Sequence, residues 1–427
     1  MTANGRTRSH RRPQVIISNG HFKFILAPLA AEVARQQMLA LFLTGAYPGP
    51  RLRRLFAKRR LRAGGLQRFL AREEPGLPAE LVRAKSFSEL LVQAGVLVRR
   101  LTRRTDWGQR WEMAGMRQYG RSAVADVEGT AASIYHYRSG YGHASVAAAR
   151  RRGMITVCDH SLPNPEVMDY LIAHDGAWPA STADVERTPW SNLMLPDLRA
   201  ADYLVVNSDF VKESFVRYGW DAGRIFVQYT GVDDDFVGAL PADSKRSTSK
   251  PRILFAGELS RRKGTHILAT AIRELAGVEA DIELIGAVHE DAAEVVAALR
   301  RDPRVGWSNL LPRHELAARM AAADVFVFPS LAEGSARVVF MALAAGCYIV
   351  TTPNAGSIVS DGVHGAVVPP GDARALAEAI RMALARPAER ARVGHANAQL
   401  IRQRYAQSSY GRGITTFYQS LAATSPA

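Results

Sequence analysis

Apolar residues along this chain gather in short runs that read as buried strands. They alternate with longer stretches in which apolar positions recur at helical spacing. Residues 15–20 read as a strand running into a glycine turn, 22–37 as a helix and 39–43 as a second strand. Residues 51–120 read as helical. A strand at 132–135, a helix at 144–152 and a strand at 154–158 follow, the last ending at Asp159-His160. A strand at 204–208, a helix at 209–218 and a strand at 225–229 close this first series. The segment 241–250, rich in Ser, Lys and Pro, reads as an interdomain linker.

A second series then begins. Strands are expected at 253–257, 282–286, 305–307, 324–330 and 348–351, with helices from Thr265, over 290–299 and over 337–346. Strand, glycine turn, helix, strand is the βαβ unit of a parallel sheet. The pattern predicts an α/β protein of two doubly wound domains, 1–240 and 251–404. A central crevice is expected at the carboxyl ends of their strands. The first βαβ unit lacks the Gly-x-Gly-x-x-Gly fingerprint, which argues against a dinucleotide oxidoreductase.

Charge alters this picture in one place. The chain of 427 residues carries a formal net charge of +15. Residues 1–150 hold 26 Lys/Arg against 9 Asp/Glu, and the remainder holds 29 against 31. The whole excess therefore lies in the first third, much of it in 51–62 and at Arg99, Arg100, Arg103 and Arg104. Such a patch is either a solvated basic face or a surface for polyanions or an anionic membrane. Nucleic acid is not expected as a partner, because no recognisable module or aromatic interleaving accompanies the charge. The two cysteines, Cys158 and Cys347, lie in apolar runs and read as buried thiols of a reducing compartment. No secretory signal or run of about 18 apolar residues is visible, so a cytoplasmic protein, docked at most peripherally on the inner face of a membrane, is expected.

The densest chemistry lies in 324–371. Pro329-Ser330 ends a buried strand. Glu333-Gly334-Ser335 then precedes a helix whose free N–H groups and dipole suit phosphate. Arg261-Arg262-Lys263-Gly264 sits in the loop after the first strand of the second series, again just before a helix. No metal site is expected, since the histidines are scattered and Asp233 to Asp235 lack an oxygen-rich loop.

These motifs resemble the nucleotide-sugar half of the family 4 (group 1) retaining glycosyltransferases, which have the GT-B fold of two Rossmann-like domains. The likeness is strongest from 252 to 385. It implies transfer of a sugar from a nucleoside-diphosphate donor to a glycan, lipid-linked or other acceptor, in polysaccharide or glycoconjugate biosynthesis, without a metal or other cofactor. By resemblance, Glu333 contacts the donor sugar, and Gly334, Ser335, Lys263 and a neighbouring Arg261 or Arg262 seat the diphosphate. Gly20 belongs to a donor-side turn, and His160 is the active-site histidine. The C-terminal stretch 405–427 would return to the N-terminal domain. Two positions depart from the family pattern. Glu258 replaces an arginine, and Met341 replaces the carboxylate that binds the ribose, which a thioether cannot imitate. A GT-B protein that has lost catalysis and serves as a binding or regulatory partner is the alternative these departures raise.

Overall fold

The computed structural model describes residues 12–22, 25–49, 69–102, 105–241 and 250–424. The basic run at 51–62 and most of the expected linker lie outside the described residues.

Two parallel sheets organise the chain. The first has the order β3-β2-β1-β4-β5-β6-β7. Its strands are β1 (Val15–Ser18), β2 (Leu39–Thr44), β3 (Val82–Ala84), β4 (Ile134–Arg138), β5 (Ile155–His160), β6 (Tyr203–Val206) and β7 (Ile225–Val227). The second has the order β10-β9-β8-β11-β12-β13. It comprises β8 (Arg252–Ala256), β9 (Asp281–Ile285), β10 (Val305–Ser308), β11 (Val325–Phe328), β12 (Tyr348–Thr351) and β13 (Gly365–Val367). The central strands β1, β11 and all but the ends of β8 and β12 are buried, as expected of strands covered by helices on both faces.

The strands β3 and β13 were not expected from the sequence. Both are three-residue edge strands, too short to show a period, and β13 lies where only a turn is expected. Histidine 160 is the last residue of β5 rather than part of the loop beyond it.

The chain divides into two compact units. One comprises Met1–His160, Asn192–Val205 and Gly411–Ala427, the other Ser161–Ser191 and Val206–Tyr410. In the first, the C-terminal helix Gln407–Thr424 is fixed by named contacts. The Tyr418 hydroxyl meets His136 Nδ1, Phe417 lies edge-on to Tyr203 at 5.8 Å, and Gln36 donates to Thr415 Oγ1 at 3.1 Å. His136 is fully buried on β4, and that burial pushes its pKa down to about 3. It is therefore a core residue holding a helix in place. In the second unit, Phe255, Phe326, Phe328 and Phe340 fill the space between sheet and helices. The rings of Phe255, Phe328 and Phe326 stack in succession at 5.7 and 6.2 Å. Both cysteines are buried free thiols.

Candidate functional site

In a doubly wound sheet, ligands bind beyond the carboxyl ends of the strands, where the strand order reverses. In the second sheet this point lies between β8 and β11. The loops that leave those two strands are 257–264 and 329–336, and they carry the residues singled out in the sequence.

Backbone contacts clamp the two loops together. The Arg262 carbonyl accepts from the Leu331 amide at 2.9 Å and from Ser330 Oγ at 3.1 Å. Gly264 has φ +72°, and a Cβ there would come within 2.0 Å of the Pro329 carbonyl oxygen. Only glycine permits both the left-handed turn and this approach. The turn delivers Lys263 to Glu333, with Nζ 2.5 Å from Oε1. Arg262 binds the same carboxylate oxygen and also reaches the Ala332 carbonyl at 3.4 Å. Glu333 is 7% exposed, and its amide is tied to the Asn354 carbonyl at 2.9 Å. Lys263 Nζ also lies 5.1 Å over the Phe328 ring. Burial holds the Lys263 pKa below the ordinary lysine range, against the opposing pull of Glu333. Two cations thus share one buried carboxylate, and the exposed Glu258 also bears on Lys263 electrostatically.

The chain after Glu333 is wedged. A Cβ at Gly334 would lie 1.8 Å from the Ser161 carbonyl oxygen, and the Gly334 carbonyl accepts a hydrogen bond from the Ser208 hydroxyl. Ser335 follows with its hydroxyl buried and without a hydrogen-bond partner. The helix Arg337–Ala344 then starts at Ala336, which offers no side-chain cap. The Val339 amide is taken up by the Ala336 carbonyl at 2.8 Å, and the amides before it, of Arg337 and Val338, have no intrahelical acceptors. The helix Thr265–Glu274, capped only by Gly264, opens beside Lys263. Two uncapped helix starts, a lysine and an orphaned hydroxyl are the chemistry of an anion seat.

The remaining residues of this half are engaged in different ways. Arg261 turns to the 172–175 segment. It donates to the carbonyls of Ile172 and Ala173 at 3.1 and 3.2 Å, and pairs with Asp175 at 2.8 Å. Of the two candidate arginines, Arg262 is the one that the structure joins to Lys263 and Glu333. Glu258 is exposed. Met341 is half-buried and packs against the core. One turn before it, Arg337 binds Asp233 at 3.1 Å, and Arg313 binds the other oxygen of that carboxylate at 2.5 Å.

The first sheet reverses between β1 and β4, and Gly20 lies just beyond β1. It has φ +77°, and an added Cβ would fall 2.8 Å from the Tyr141 ring, so the close approach here is aromatic. Its amide is 3.3 Å from the Tyr119 hydroxyl. His160 ends β5 and shares a 2.8 Å hydrogen bond with Ser139, which follows β4. It is 2% exposed. The residue after Gly20 was not singled out from the sequence. His21 is fully buried, with Nε2 on Ser88 at 2.9 Å and its ring edge-on to Tyr119 and Tyr141. Burial lowers its pKa to about 4. Its Nδ1 and the buried Asn19 Oδ1 have no hydrogen-bond partner. Asn19 belongs to the same turn as Gly20 by resemblance, whereas the only sequence signal for His21 is its place just after a strand. Among the described residues no group of three or more side chains could hold a metal ion.

Comparison with known proteins covers both halves. A family model described as "Glycosyltransferase Family 4" matches residues 59–236, and one described as "Glycosyl transferases group 1" matches 250–386. A D-inositol 3-phosphate glycosyltransferase of Xylanimonas cellulosilytica is 31% identical over 249 residues, covering 53% of this chain and 59% of that protein. The lipopolysaccharide core biosynthesis glycosyltransferase LpsE of Rhizobium meliloti is 26% identical, covering 53% of this chain and 66% of that one. The chain therefore spans about three fifths to two thirds of the length of these curated relatives. Among solved structures, Anabaena HepE in complex with UDP and glucose aligns with a TM-score of 0.60 at 16% identity, over 95% of this chain and all of that one. Sucrose-phosphate synthase from Thermosynechococcus elongatus aligns with a TM-score of 0.61 at 18% identity, over 96% of this chain and all of that one. At these identities the likeness is one of fold, and the fold is GT-B.

Proposed function

We propose that this chain, which belongs to the group 1, family 4 glycosyltransferases, is a retaining enzyme that moves a sugar from a nucleoside diphosphate to a glycan or lipid-linked acceptor without a metal. The observation that carries this reading is the buried Glu333 shared by Lys263 and Arg262, beside the partnerless Ser335 hydroxyl and two uncapped helix starts. A diphosphate leaving group develops negative charge as the sugar departs. Cations and helix-start amides already gathered at one corner are the groups that stabilise it, with Lys263 exchanging Glu333 for the phosphate. Glu333 then has two roles. It neutralises the cations before the donor arrives, and its carboxylate afterwards serves the donor sugar's hydroxyls. His160, oriented by Ser139, would act on the sugar side.

Related proteins support the same direction. The relatives include enzymes named for lipopolysaccharide core and colanic acid biosynthesis, and the HepE structures contain UDP or UDP-glucose. The test is a transfer assay against a panel of UDP-, GDP- and ADP-sugars with and without EDTA, with the product's anomeric configuration read by NMR. Retention of configuration, unaffected by EDTA, is the expected result. An inverted product or complete loss of activity with EDTA would overturn the mechanism. Failure of every nucleoside diphosphate in the panel to bind would overturn the assignment itself.

A further inference from the structure

The first unit carries a helical hairpin that the proposed reaction leaves unexplained. Its helices, Ser86–Thr102 and Thr105–Glu128, meet along a glycine seam. A Cβ at Gly95 would lie 2.6 Å from the Gly108 carbonyl oxygen, and one at Gly108 would lie 2.7 Å from that of Gly95. Val92, Met113 and Met116 are buried, and Arg99 reaches Glu112 at 3.1 Å.

The outward faces of the hairpin are apolar. Six of the twelve large hydrophobic residues exposed among the described residues lie here: Phe87, Leu90, Leu97, Leu101, Trp107 and Trp111. Phe87, Leu90, Leu97 and Leu101 fall on one side of the first helix by their spacing, and Trp107 and Trp111 are one turn apart on the second. Leu101 is 74% exposed and Trp107 52%. Four of the six flank the connection between the helices. Arg100 and Arg110 are exposed beside them, and Arg103 and Arg104 occupy the connection in the sequence. Exposed leucines and tryptophans interspersed with arginines are the composition of a segment that lies in a membrane interface. There the aromatic rings sit at headgroup level and the cations meet lipid phosphates. The +17 balance of residues 1–150 supplies the long-range attraction that such docking needs.

We infer that the hairpin 86–128 is a peripheral docking element for an anionic lipid surface, with Leu97, Leu101, Trp107 and Trp111 as its inserted residues. No helix among the described residues is long and apolar enough to cross a membrane, so insertion is shallow and reversible. The test is co-sedimentation of the full chain with vesicles of phosphatidylcholine containing about a third phosphatidylglycerol, and with pure phosphatidylcholine, at low and high salt. Binding to the anionic vesicles at low salt is expected, with a blue shift in tryptophan fluorescence. The variant Leu97→Glu/Leu101→Glu should lower partitioning roughly 10- to 100-fold while its thermal melt stays that of the wild type. Trp107→Ala/Trp111→Ala should reduce both partitioning and the blue shift. Absence of binding to the anionic vesicles at low salt would overturn the inference. So would unchanged binding by both variants, or light scattering showing a dimer that the Leu97→Glu/Leu101→Glu substitution dissociates. These outcomes do not depend on nucleotide binding, which is measured separately.

Discussion

Replacing Lys263 with alanine should weaken nucleoside-diphosphate binding by about 2 kcal/mol, or roughly 30-fold. A charge-assisted hydrogen bond to phosphate contributes about 1.5–3 kcal/mol. Two features of the structure place this case inside that range. The Lys263 side chain is only 13% exposed, so water and salt screen it little. In the free protein, however, its Nζ already lies 2.5 Å from Glu333, and moving to a phosphate surrenders part of that interaction. Arg262 remains on Glu333 after the substitution, so the carboxylate is not left buried and unpaired, and folding should survive. Lys263→Met is the paired control, because it keeps apolar volume over Phe328 while removing the charge. Calorimetric titration of the wild type and both variants with one nucleoside diphosphate gives the comparison. Both variants should lose affinity to a similar extent. Folded variants that bind within about twofold of wild type would remove Lys263 from the phosphate seat.

Four further outcomes follow from the same geometry. His160→Ala should lower turnover by roughly 100-fold or more while leaving nucleotide affinity within about twofold, and full activity would reduce His160 to a packing residue. Met341→Glu should tighten nucleoside-diphosphate binding by up to about 1.5–3 kcal/mol if the missing carboxylate is a lost ribose contact, whereas equal or weaker binding on titration would show that it is not. Gly334→Ala should destabilise the protein by about 3 kcal/mol in urea unfolding, because its Cβ would lie 1.8 Å from the Ser161 carbonyl oxygen, and an unchanged midpoint would contradict that wedge. His21 is neutral when folded, with a pKa of about 4 against an ordinary 6.5. The unfolded chain therefore takes up the proton first, and about 3 kcal/mol of stability present above pH 6.5 should be lost as pH falls toward 4. The buried His136 contributes in the same window, so denaturant melts at pH 7 and 5 compare the wild type with His21→Gln, and an equal loss of stability in both would refute the share assigned to His21.

How much of this was legible beforehand follows from where the information lies. The loops at 257–264 and 329–336 carry their chemistry in contiguous letters between apolar runs, so Arg262, Lys263, Glu333 and Ser335 could be named from sequence. The meeting of Arg262 and Lys263 on the Glu333 carboxylate could not, because it depends on the Arg262 carbonyl holding Leu331 and on Gly264 passing under Pro329. The tether from Arg261 to the 172–175 segment lies 86 or more positions away in the chain, beyond any local pattern. His21 was missed because its partnerless buried nitrogen exists only once Tyr119, Tyr141 and Ser88 have closed around it. The hairpin 86–128 shows the limit of periodicity alone. Its exposed leucines repeat with the same helical period as a core face, and only burial separates the two.

The central claim is that Lys263, Ser335 and the helix starts beside Glu333 seat a nucleoside diphosphate. A crystal structure of the chain with a bound nucleoside diphosphate tests it most directly. The account predicts a phosphate oxygen within hydrogen-bond distance of Lys263 Nζ, and another on the Ser335 hydroxyl or the first amides of the helix Arg337–Ala344. A diphosphate bound elsewhere on the chain, with Lys263 still paired to Glu333 and Ser335 still without a partner, would contradict it.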